Sequence, residues 1–193
     1  MAKKKNNAFS EFISPILVLV AICFVTTFAL AYIYGITNPI IEKNNEAAAA
    51  ATRAELLEAS KGEFEEYTGD LYEDAANKMT VKDCYVASNG TGMVVTAVSN
   101  SYGGDLTAMI GIDKDGAITS VKVTEASDTP GVGSKAQLPD HLKQYSGLKE
   151  YTDIQVKKDA NVNAVTGASV SSGAVHRTVC AAFEQFKMMG GIK

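Results

Sequence analysis

Between Ile13 and Ile36 the chain carries no charged residue and only three hydroxyl-bearing aliphatic ones, Ser14, Thr26 and Thr27. As a helix, those roughly 24 residues span about 36 Å, enough to cross a bilayer. Tyr32 and Tyr34 lie near its end, where aromatic rings suit a membrane interface. Lys3, Lys4 and Lys5 precede it, and the positive-inside bias then predicts a cytoplasmic N-terminus (1–12), a transmembrane helix (13–36) and an outer location for the rest. Ala29-Leu30-Ala31 offers a small-x-small cleavage site for a signal peptide, but the apolar run continues past it. That continuation favours a retained anchor.

Beyond the span the pattern becomes helical, then strand-like. Asn38-Pro39 matches an N-cap followed by proline at the first helical position, and Ala47–Ala51 with Leu56 and Leu57 has high helix propensity. This predicts a linking helix over 37–60. Residues 61–78 are acidic and read as irregular, with a solvated face. Asp83–Ser88 and Met93–Asn100 flank Asn89-Gly90, and Leu106–Ile112 and Ala117–Val123 flank Asp113-Lys114-Asp115-Gly116. Both are hairpin signals. Asn89-Gly90-Thr91 also matches a glycosylation sequon, which the turn explains without a glycan. From about Val170 to Met188, Val175, Val179, Ala182, Phe183 and Phe186 form one apolar stripe at helical spacing. The fold class is therefore α+β: a single N-terminal transmembrane helix, then a domain over 61–193 with an antiparallel sheet and flanking helices.

Composition narrows the function. A chain of 193 residues holds one soluble domain plus an anchor, and a net charge of −4 argues against a nucleic-acid footprint, which would need a basic face. Cys23, Cys84 and Cys180 lack metal-ligand spacing; Cys84 and Cys180 either pair outside the membrane or remain buried thiols. His141 and His176 stand alone in the sequence, which supports neither a metal site nor a catalytic base. One uncharged span provides no pathway of polar groups for ions.

Two small-residue segments carry the candidate chemistry. Thr166-Gly167-Ala168-Ser169 places a hydroxyl on a turn where a helix begins. Small side chains admit a bulky partner, and the free N–H groups of a helix start favour phosphate. Ser169, Ser171 or Ser172 also suits the plain task of capping that helix. Thr129-Pro130-Gly131-Val132-Gly133 is a loop able to lie against a planar ring and offer it backbone N–H groups, with Lys135 just beyond. Tyr102-Gly103-Gly104 joins two strands and reads as a turn, or as backbone access beside a ligand.

Asp128-Thr129-Pro130-Gly131-Val132-Gly133, the Thr166–Ser169 motif and the single N-terminal span together resemble the FMN-binding G subunit of the Rnf electron-transport complex. They also resemble the C subunit of the sodium-translocating NADH:quinone oxidoreductase. The resemblance implies covalent FMN, held by a phosphoester on Ser169 after a separate flavin transferase moves it from FAD with a divalent metal. It implies Thr166, Gly167, Ala168, Thr129, Gly131, Val132, Gly133, Lys135, Gly103 and Gly104 as the site region. Other membrane subunits of an Rnf-type complex, which couples electron flow between ferredoxin and NAD to ion translocation, are the implied partners. This chain departs from the family in three ways. Ser169 replaces the usual Thr, Asn163 stands where the transferase usually meets Asp, and the loop motif opens with Asp128 and carries Val132 in place of Glu and Leu. A free-standing membrane-anchored FMN carrier and a non-redox binding module are the alternatives.

Overall fold

The computed structural model describes residues 14–191. Ile13, the lysines at 3–5 and the whole 1–12 segment lie outside the described residues. Two compact units divide after Ala48.

The first helix, α1, runs from Ser14 to Leu56. Among the described residues it is the one helix long and apolar enough to cross a membrane. Its large apolar side chains, Ile16 through Ile36, are all more than half exposed. Such a surface is unfavourable in water and suited to lipid. The separate linking helix expected from Asn38-Pro39 does not form; Pro39 lies inside α1. The Asn38 amide donates to Glu42 Oε1 at 2.8 Å and caps nothing. A proline removes one backbone hydrogen bond, but strong helix formers on both sides carry the helix through it.

In the second unit six strands form one antiparallel sheet: β1 (Phe64–Glu66), β2 (Glu73–Asp74), β3 (Met79–Ala87), β4 (Gly92–Asn100), β5 (Asp105–Asp113) and β6 (Ile118–Glu125). The order is β1-β3-β4-β5-β6, with β2 also on β3. The 61–78 segment is thus not wholly irregular. Its two short strands pair with β3, Glu65 opposite Val86 and Glu73 opposite Thr80. Backbone pairing is indifferent to the acidic side chains that hid them.

Both predicted hairpins form. In the first, Gly90 N–H donates to Ala87 O at 2.8 Å with Gly90 at φ 69°, and Asn89 uses its side-chain amide to reach Ala59 O. In the second, Asp113 Oδ1 accepts from the N–H groups of Asp115 and Ala117. The middle strands β4 and β5 are buried along nearly their whole length. One face carries Met93, Val95, Ala97, Ile110 and Ile112 against the closing helix (Ser169–Met188), here α3, whose Val175, Val179, Ala182 and Phe183 fill the main core. A single short turn of helix, α2 (Pro139–Leu142), precedes it. The other face of the sheet, through Val94 and Met109, packs on Leu56 and Leu57. Cys84 on β3 and Cys180 on α3 are buried free thiols. Burial pushes the Cys84 thiol up to about 12, so it behaves as a small apolar side chain.

Candidate functional site

The hydroxyl turn sits where α3 begins. Gly167 is at φ 83°, which a glycine adopts without strain, and Ala168 N–H closes the turn on Val165 O at 3.0 Å. The residue flanking the helix is Ala168, and it makes no side-chain cap. None of the three serines therefore serves as the ordinary N-cap. Ser172, 0% exposed, accepts from Val165 N–H at 2.9 Å and braces the turn from beneath. Ser171 is 2% exposed. Ser169 alone of the three reaches the surface.

The Thr129–Gly133 loop folds around one carbonyl: Thr129 O accepts from the N–H groups of Val132, Gly133 and Ser134 at 3.2, 3.1 and 3.4 Å. Its two glycines are there for different reasons. Gly131 takes φ 77° in open space. Gly133 has an ordinary φ but packs so closely that a Cβ would stand 2.7 Å from both Asp128 Cβ and Ser171 Oγ.

Asp128 ties the parts together. Its carboxylate accepts from Ser101 Oγ at 2.8 Å, Gly103 N–H at 3.0 Å and Gln137 Nε2 at 3.1 Å. Burial alone would raise its pKa. The hydrogen bonds from Ser101, Gly103, Ser171 and Gln137 outweigh that and hold it below the usual carboxylate range. The side chain is therefore charged at neutral pH and pins the β4–β5 turn, the loop and the start of α3 to one another.

Between these parts lies a cleft of about 500 Å³, lined by Tyr102, Asp128, Thr129, Val132 and Gly133 on one side and by Gly167 through Ser171 on the other. Two segments more than thirty residues apart in sequence thus face each other across it. Of the residues expected at the site, Thr129, Val132, Gly133, Gly167, Ala168 and Ser169 line the cleft. Thr166 is exposed just outside it, and Gly131 is exposed at the tip of the loop. Lys135 lies exposed in the 3-10 turn Gly133–Gln137. Gly103 sits behind the wall, its N–H on Asp128, with no room for a side chain against the Ser127 carbonyl. Gly104, at φ 134°, closes the turn through Ser101 N–H on its carbonyl at 2.7 Å.

Tyr102, 77% exposed, and Val170, 52% exposed, are lining residues that the sequence did not single out. Adjacency to Gly103 was the available signal for Tyr102; nothing marked Val170. The arrangement fits a flavin nucleotide. An apolar and aromatic wall (Tyr102, Val132, Val170) suits a ring, and glycine backbone allows close approach. The Ser169 hydroxyl stands at the start of α3, the positive end of a helix, where phosphate is favoured.

The FMN-binding domain family matches residues 101–184, from the serine that holds Asp128 into α3. The G subunit of the proton-translocating ferredoxin:NAD(+) oxidoreductase complex of Clostridium ljungdahlii is 28% identical over 178 residues, 89% of each chain. The G subunit of the Na(+)-translocating ferredoxin:NAD(+) oxidoreductase complex of Acetobacterium woodii is 28% identical over 174 residues, 82% of this chain and 84% of that one. This chain resembles the G subunits of ion-translocating oxidoreductase complexes. Among solved structures, NqrC of Shewanella oneidensis aligns with a TM-score of 0.45 and 21% identity, over 54% of this chain and 57% of that one.

Deeper along α3, His176 is not isolated, contrary to the expectation from sequence. Its Nε2–H donates to Asp153 O at 2.7 Å, Asp159 Oδ2 lies 3.7 Å away, and Tyr145 stacks on the ring at a centroid distance of 6.1 Å. Asp159 is itself held by the N–H groups of Thr152, Asp153 and Asn161. Burial lowers the His176 pKa and keeps the ring neutral. The partners come from a loop 17 to 23 residues upstream, a distance at which sequence pattern gives no signal. The cluster anchors the 151–161 loop to α3.

Proposed function

We propose that this chain is a membrane-anchored flavoprotein subunit that carries FMN on Ser169 through a phosphoester and relays electrons within an Rnf-type ferredoxin:NAD oxidoreductase complex coupled to ion translocation. The observation that carries the reading is the position of Ser169. Of the three serines at the start of α3 it is the one that is not buried, and it lines the cleft where the loop motif and the turn motif meet. Bound FMN supplies reversible electron transfer, which no side chain here offers. The protein's own groups position and insulate. Tyr102, Val132 and Val170 wall the cleft, Asp128 fixes the loop against α3, and the helix start favours the phosphate.

Attachment consumes Ser169 once. Its Oγ forms a bond to the FMN phosphorus of FAD, the pyrophosphate bond breaks, adenosine monophosphate leaves and the hydroxyl proton passes to solvent. A separate flavin transferase with a divalent metal performs this step. The N-terminus lies in the cytoplasm and the FMN domain on the outer face, beside the other membrane subunits of the complex.

Intact mass of the protein coexpressed with the transferase tests the assignment. Native protein and Ser169→Thr carry one FMN; Ser169→Ala carries none and shows no flavin fluorescence after denaturation. Asn163→Asp raises the modified fraction, because it restores a charge that the transferase meets in relatives of this family. Covalent FMN surviving in Ser169→Ala, or a flavin peptide mapped to Ser171 or Ser172, overturns the reading.

A further inference from the structure

Ser169 stands between two clefts of opposite character. The second, of about 430 Å³, shares only Ser169 and Val170 with the first. Its lining includes Lys78, Lys157 and Arg177 and no carboxylate, in a chain whose net charge is −4. The first cleft is lined by no cation and by Asp128, which is held charged.

The cations come from three separate elements. Arg177 lies on the same face of α3 as Ser169 and Gly173, at spacings of eight and four residues. It is fixed by its Nε on Ser99 Oγ at 2.8 Å and its Nη2 on Asn100 O at 2.6 Å. Its Nη1 is left beside Gly173, where a Cβ would approach it to 3.3 Å. The glycine keeps the path between the guanidinium and Ser169 open. Lys78 follows β2 at φ 54°, a left-handed angle that costs a side-chain-bearing residue free energy. Asn77 holds that turn through its N–H and amide on the Asp74 carboxylate at 3.1 and 2.7 Å. Lys157 enters from the 151–161 loop that the His176 cluster anchors.

We propose that this basic cleft is the phosphate subsite of the flavin nucleotide. Lys78, Lys157 and Arg177 hold the charge of the phosphate on Ser169, while the ring occupies the apolar cleft on the other side of the same residue. The inference rests on the attachment of FMN at Ser169. The physical reason for the division is charge. A phosphodiester carries one negative charge, which Asp128 repels in the first cleft and three cations attract in the second.

The test uses the full-length chain in detergent. Ser169→Ala, which is unable to form the ester, is titrated with free FMN and with riboflavin, which lacks the phosphate. FMN binds more tightly by roughly tenfold or more, as charge-assisted hydrogen bonds predict. In Ser169→Ala with Lys78→Gln and Lys157→Gln that preference collapses, and the riboflavin affinity is unchanged. Added salt weakens FMN binding and spares riboflavin. In parallel, the phosphorus resonance of the covalent ester is compared between the native protein and Lys78→Gln/Lys157→Gln, with circular dichroism confirming the fold of both. It shifts if the subsite exists.

Equal affinity for FMN and riboflavin overturns the proposal, as does a preference that survives in the lysine variants. Absence of binding by either flavin, together with an unmoved phosphorus resonance, overturns it as well. Failure of the attachment reading shows separately, as a flavin peptide without Ser169, and leaves the titration valid.

Discussion

The two glycines of the 129–133 loop look equivalent on paper and are not. At Gly133 a methyl group meets Asp128 and Ser171 at 2.7 Å, and both are fixed by other bonds. Gly133→Ala therefore forces the loop off α3 and lowers stability by about 1–3 kcal/mol, in line with overpacked sites. At Gly131 the same methyl meets nothing, and only the positive φ opposes it. Gly131→Ala costs about 1 kcal/mol and leaves covalent modification intact. Thermal denaturation of the two variants side by side checks the order. A smaller loss at Gly133 than at Gly131 means that the contact with Asp128 is not the constraint. Both glycines were legible as loop punctuation. Which one answers to backbone angle and which to crowding depends on neighbours 5 and 38 residues away, and a linear pattern holds no such information.

At the scale of elements, α3 carries two tasks on different faces. Its apolar stripe fills the core, and that stripe was readable from spacing alone. Its polar positions serve the clefts and the His176 cluster, and they were not. His176 leads to a pH prediction. Its pKa is depressed in the folded protein below the ordinary 6.5 by burial, although the Asp153 carbonyl and Asp159 pull the other way. The unfolded chain takes up that proton first, so the stability from the neutral ring is complete above the ordinary value and is lost as pH falls towards the folded one. The loss amounts to about 1.4 kcal/mol for each unit of depression. Asp128 and Asp159 are also depressed, so their contributions persist until the pH falls through the carboxylate range, below their ordinary 3.8. His141 is depressed by burial in the same direction, so melting temperature followed from pH 7.5 downwards should fall in two stages, and His176→Phe should shrink the upper one. An upper stage of unchanged size in His176→Phe assigns it to His141 alone.

For the whole molecule the question is which side of the membrane the flavin domain occupies. The proposed cytoplasmic N-terminus rests on Lys3, Lys4 and Lys5 ahead of one neutral span. Protease added to intact spheroplasts should then digest the chain beyond residue 38, and flavin fluorescence should leave with the soluble fragment. Protection until lysis reverses the orientation. Cleavage should concentrate in exposed loops of the second unit.

The long apolar span, the meander, the closing helix and the two small-residue motifs were all legible in the sequence. Each is a local pattern: an uninterrupted apolar run, period-two alternation around turn residues, a helical stripe, a cluster of glycines. Tertiary structure decided what those motifs do to each other. It brought Thr129–Gly133 and Gly167–Ser169 to opposite sides of one cleft, made Asp128 the tie between them and buried Ser171 and Ser172. It also gathered Lys78, Lys157 and Arg177 from three elements onto the far side of Ser169. Turn and helix preferences act over a few residues, whereas the field and the crowding at Ser169 are sums over groups nearly a hundred residues apart in the chain.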